Sequence, residues 1–148
     1  MRTNWGVLPL RFALGAVMIA HGSQKLFGWF GGHGISATIE GFSHMGLNPP
    51  AFWAWVVIIA EFFGGLGLVG GLLLRLSALG IAIDMLVAIL KVHLKNGFFA
   101  MNGGFEYPMA LMAAALALLI LGAGDYSLDA LIGRWLRSRR KRGTESRT

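Results

Sequence analysis

No cysteine occurs among the 148 residues. The chain therefore makes no disulfide, binds no metal through thiolate and does no thiol redox chemistry of its own. Charge is scarce as well. Lys, Arg, Asp and Glu make up 14% of the chain, against roughly a quarter in a soluble domain. No flavin, haem or nucleotide motif accompanies the apolar sequence. The net charge of +6 comes without a groove-reading motif, so nucleic acid is not an expected partner. His33, Glu40 and His44 share one loop, but their spacing fits no ligand pattern, and no metal site is expected.

Hydrophobic residues make up 55% of the chain, and the mean hydropathy is +0.63. Apolar stretches at about 7–27, 52–74, 76–94 and 105–121 each come near the length that crosses a bilayer. The expected fold is all-α: an integral membrane four-helix bundle in one domain. Arg11 interrupts the first stretch, and Met18 and Ala20 make a poor small-x-small cleavage site. That stretch is read as an uncleaved span rather than a signal peptide.

Arg11, Gly15, Met18, Gly22 and Lys25 fall on one stripe of the first span. Charges avoid lipid tails, so this face turns toward other helices. Residues 28–51 form a glycine-rich loop with a short interfacial helix near Ser36–Met45. Trp53 and Trp55 mark the entry to the second span. Glu61 lies about 13 Å into it at 1.5 Å per residue. Gly67 and Gly71 give a G-x-x-x-G pair suited to helix contact. Asp84 is near the middle of the third span, with Lys91 on the same face and His93 near its end. Glu106, Tyr107 and Pro108 open the fourth span. Ser127 reads as the N-cap of an amphipathic interfacial helix over about 127–137. Residues 138–148 read as a basic, disordered cytoplasmic tail.

Four spans put both termini on one side, together with ten of the 13 Lys and Arg residues. The excess places both termini in the cytoplasm. His21, Gln24, Lys25, Glu61, Lys91, His93 and Glu106 then converge on the outer half of the bundle. Arg11 and Asp84 lie deeper, placed to form a charge pair. Two readings follow. Lys25–Glu106 and Lys91–Glu61 are ion pairs that fix helix register. Alternatively, the groups line a polar pocket open to the outer face, which binds a small molecule or moves protons.

The chain resembles the DoxX family of small four-span bacterial membrane proteins. The resemblance rests on Arg11-Phe-Ala-Leu-Gly15, His21-Gly22-Ser-Gln-Lys25-Leu and Gly28-Trp-Phe-Gly-Gly32. It continues through Ala60-Glu61, Asn96-Gly-Phe-Phe99 after His93, and Gly103-Gly-Phe-Glu106-Tyr-Pro108, and covers about residues 10–131. A DoxX-like domain over 1–137 is the result. The resemblance implies an inner-membrane subunit of a quinone-linked oxidoreductase, with stress resistance as a known association. Quinone is then the expected cofactor. Glu61 and Glu106 would relay protons, while His21, Gln24, Lys25, Lys91 and His93 would bind the ligand. The expected partners are the lipid bilayer, a soluble or membrane redox protein and further copies of the chain. Two alternatives stand beside this: a non-catalytic scaffold for a soluble redox partner, and a small proton-coupled transporter.

Overall fold

The computed structural model describes residues 5–145, and side chains through Arg139. Its helices, in order, are α1 (Val7–Phe27), α2 (Gly34–His44), α3 (Pro50–Gly70), α4 (Leu74–Asn96), α5 (Glu106–Leu121) and α6 (Leu128–Glu145). Among the described residues there is no strand, so the fold is all-α.

The ends of these helices follow from local chemistry. Pro50 takes the first position of α3, where a missing N–H costs nothing. Gly28 ends α1 at a φ of +75°, a left-handed conformation that glycine adopts without strain. Ser127 caps α6, its Oγ accepting from the Ala130 N–H at 3.1 Å. The N–H groups of Leu73 and Leu74, at the start of α4, donate to the Asp129 carboxylate at 2.8 and 3.0 Å. The last helix continues through Glu145, past the Arg137 boundary read from the sequence. The expected tail over 138–148 is therefore helical as far as 145, and 146–148 lie outside the described residues.

Helices α1, α3, α4 and α5 pack in a ring, each against two of the others, around a shared core. Leu14 and Met18 of α1, Leu68 of α3, Ile81 of α4 and Leu118 of α5 are buried there. The α1–α3 contact is the closest. A Cβ on Gly15 would lie 2.9 Å from the Gly65 carbonyl oxygen, and one on Gly22 would lie 2.6 Å from the Phe62 nitrogen. The stripe from Arg11 to Lys25 is this contact face. Of the Gly67–Gly71 pair, Gly67 lies where α3 meets α4, a Cβ there meeting Ser77, whereas Gly71 ends α3 and a Cβ there would meet Arg11 and Ser127. Helix α2 packs against α3 and α1.

The outer surface is apolar. Phe52, Trp55, Ile59, Phe63 and Leu66 form an exposed stripe along α3, and Leu76, Leu79, Ile83, Leu86 and Leu90 do so along α4. Stripes of this length face a lipid phase or a partner, not water. Helices α3 and α4 are long and apolar enough to cross a membrane, whereas α5 is apolar but has 16 residues. Helix α1 has 21 residues and carries Arg11, His21, Gln24 and Lys25.

Candidate functional site

One ion pair joins α1 to α3. The Lys25 Nζ lies 2.7 Å from Glu61 Oε1 and 2.6 Å from Oε2, a contact with both carboxylate oxygens. Glu61 is buried, and the Lys25 side chain keeps 26% of its surface. The pairing depends on the α1–α3 approach. Phe62, which Gly22 admits, is the residue next to Glu61. Residues Ile59–Phe63 form a π-helical turn inside α3. Such a turn inserts a residue into the helical register and re-aims the side chains around it.

Gly22 packs on the backbone at Phe62, so Lys25, three residues further along α1, lies about 3 Å beyond the level of Glu61 and turns back to meet it. A lysine near a membrane surface usually extends outward to water. Its Cα–Cβ bond tilts toward the helix N-terminus, which favours the inward course.

Asp84 comes to the same place from α4. Its carboxyl lies beside Glu61, with the Lys25 charge nearby. Asp84 is buried, and its Oδ2 has no hydrogen-bond partner among the described residues. Two carboxyls and one ammonium from three helices thus meet in the interior. His21 is half-buried within reach of the Lys25 and Glu61 charges. Its ring centroid is 6.5 Å from that of Tyr107.

The other residues singled out in the sequence are placed elsewhere. Arg11 does not pair with Asp84. Its guanidinium donates to four backbone carbonyls: Leu68 and Val69 at 2.9 Å, and Ala123 and Tyr126 at 2.8 Å. It thus satisfies carbonyls at the C-terminal end of α3, where the helix dipole favours a cation, and ties the α5–α6 turn to α1. Glu106 is not in the cluster either. Its Oε2 accepts from the Ala100 N–H at 3.0 Å and closes the loop before α5. His93 Nδ1 lies 2.7 Å from the Gly103 oxygen and braces the same loop. Gln24 Nε2 donates to the Phe30 oxygen at 3.1 Å, folding residues 28–32 onto the end of α1. Lys91 is exposed and makes no ion pair among the described residues. Neither Lys25–Glu106 nor Lys91–Glu61 forms.

Two open grooves, of about 350 and about 510 Å³, lie at the opposite end of the molecule. Tyr126 and Arg134 line the first, and Arg75 and Asp129 the second. The buried Asp84 is the member of the site that sequence reasoning misplaced. Its distance from either helix end was the available signal, since Glu61 lies at a matching depth in the adjacent antiparallel helix.

Comparison with known proteins identifies the family. The DoxX family model matches residues 6–94. The chain is 32% identical to CatD of Bacillus subtilis, which carries the provisional name of an oxidoreductase, over 86% of this chain and 87% of CatD. It is 30% identical to the inner membrane protein YqjF of Escherichia coli, over 87% of this chain and 93% of YqjF. Identity to the uncharacterised membrane protein Rv3486 of Mycobacterium tuberculosis is 25%, over 86% and 82% of the two chains. No solved structure matches.

Proposed function

The chain belongs to the DoxX family of membrane proteins, and from that premise we propose that it is a four-span subunit of the bacterial cytoplasmic membrane serving quinone-linked oxidoreduction. Helices α1, α3, α4 and α5 are the spans. Both termini face the cytoplasm, the side that carries ten of the 13 Lys and Arg residues. Helix α6 then lies on the cytoplasmic surface. The electrons come from a redox partner, soluble or membrane-bound.

The observation that carries this reading is the Lys25–Glu61 ion pair inside the bundle, with the buried Asp84 beside it. Ionisable groups at such depth are costly and mark ligand or proton pathways by default. A quinone presents carbonyl oxygens that need donors and, when bound, supplies a couple that takes up two electrons and two protons. The residues present fit that need. Lys25 is part-exposed and donates N–H bonds, and it stabilises negative charge on an oxygen held against it. Glu61 offers carboxylate oxygens that can accept a proton, and His21 stands within range of both.

Titration of the purified protein in lipid nanodiscs with a short-chain quinone tests the reading. The wild-type protein should bind it saturably. Lys25→Met should weaken binding about tenfold or more, since a hydrogen bond from a charged donor contributes about 1.5–3 kcal/mol. A wild-type protein that binds no quinone would overturn the reading. The depth of Glu61 and Asp84 also favours a second one, proton-coupled transport. Proton flux in liposomes that depends on a co-transported solute would support it.

A further inference from the structure

We propose that Glu61 and Asp84 together form a proton-binding site, in which the two carboxyls hold one proton between them and Lys25 balances the single negative charge that remains. The inference concerns the resting protein and stands apart from the quinone reading.

Lys25 is engaged with both oxygens of Glu61. The buried Asp84 Oδ2 has no donor among the described residues. An ionised Asp84 would be acceptor-only, beside a second acceptor-only group. A buried acceptor left in that state is rare in folded proteins and costly. A proton on either carboxyl converts that group into a donor to the other, and the orphan oxygen is accounted for.

Charge leads to the same arrangement. Helix α1 offers Lys25 and His21, α3 offers Glu61, and α4 offers Asp84. Lys91 of α4 is exposed and makes no ion pair with the site. From α5, Glu106 is held by the Ala100 N–H, and Tyr107 faces His21. Arg11 is committed to carbonyls at the other end of the bundle. One ammonium thus meets two carboxyls. Two carboxylates in contact inside a low-dielectric bundle do not both ionise against a single cation, and such a pair titrates as one unit. The proton bridges α3 and α4 while the counter-charge comes from α1. Losing it leaves uncompensated charge, so it leaves with uptake by a bound acceptor.

Infrared spectroscopy of the full-length protein in nanodiscs, in sodium-free buffer near neutral pH, tests the proposal. The wild-type protein should show the carbonyl stretch of a protonated carboxyl, and the band should move in D2O. Labelling with carboxyl-13C aspartate and, separately, carboxyl-13C glutamate should each shift part of it. Glu61→Gln and Asp84→Asn, checked for folding by size exclusion and circular dichroism, should each abolish the band entirely. Absence of the band in the wild-type protein overturns the proposal. So does a band that survives in either folded variant, which would mark a single independent acid, or a band that ignores both labels. A band lost on adding sodium also overturns it, because the site would then bind a metal cation. The labelled wild-type spectra decide the matter without any variant. Because no quinone is present, the result is separable from quinone binding.

Discussion

At the scale of residues, the pairing of Lys25 with Glu61 decides how the interior is held. Both oxygens of Glu61 are engaged, and its side chain keeps 5% of its surface. Removing one partner of a buried pair costs about 3–5 kcal/mol, whereas replacing both by apolar groups is often close to neutral. Lys25→Met should therefore destabilise the protein by about 3 kcal/mol, near the low end because the lysine is part-exposed. Lys25→Met combined with Glu61→Leu should recover most of that loss. Unfolding in mixed detergent, followed by circular dichroism, gives the cycle. Additive losses across the two sites would show that the groups are not coupled. Arg11 shows how far the sequence reaches at this scale. Its place on the inward stripe follows from spacing alone. Its partners do not, because they are backbone carbonyls, which every stretch of sequence possesses. Only the chain path that brings residues 68–69 and 123–126 together selects them.

At the scale of elements, small residues set the distance between α1 and α3. Gly22 admits the backbone at Phe62, and a methyl group there has no flexible neighbour to displace. Gly22→Ala should push the helices apart and cost about 1–3 kcal/mol, the usual range for overpacking. It should also lengthen the Lys25–Glu61 contact. Gly41 makes a control. It lies within α2, and a Cβ there would meet nothing within 4 Å. Gly41→Ala should stabilise by about 0.5–1 kcal/mol through helix propensity. Thermal unfolding of the two variants checks the pair of signs, and equal effects would contradict the packing described. Helix positions were legible in the sequence to within a few residues, because apolar runs and Gly or Pro boundaries define them. The π-helical turns at Ile59–Phe63 and Ile89–His93 were not. They arise where tertiary packing overrides the 3.6-residue period, and they re-aim the residues around Glu61. The pairs Lys91–Glu61 and Arg11–Asp84 follow from depth along the spans, and depth alone does not fix which neighbour a side chain meets.

At the scale of the whole molecule, the apolar stripes of α3 and α4 and the gathering of basic residues at one end of the bundle underlie the proposed orientation. Single cysteines at Ser36 and Ser138, both exposed positions, report on it. In intact cells, an impermeant thiol reagent should label the first and spare the second. The reverse pattern would invert the topology, and labelling of both would break the four-span arrangement. The polar groups near the helix ends, Gln24, His93 and Glu106, fasten loop backbone. What remains in the interior is a compact site of Lys25, Glu61 and Asp84, flanked by His21. That all three come from different helices explains why one span alone could not reveal it. The most direct measurement is the rate of quinone reduction by native membranes containing either the wild-type protein or Glu61→Gln. The amide keeps the shape and one acceptor for Lys25 but cannot exchange a proton. Glu61→Gln should insert at wild-type levels and lose about 10²–10⁴-fold in protein-dependent rate, the contribution of a general acid–base group. A folded Glu61→Gln protein with the full wild-type rate would contradict a proton-handling role for this site.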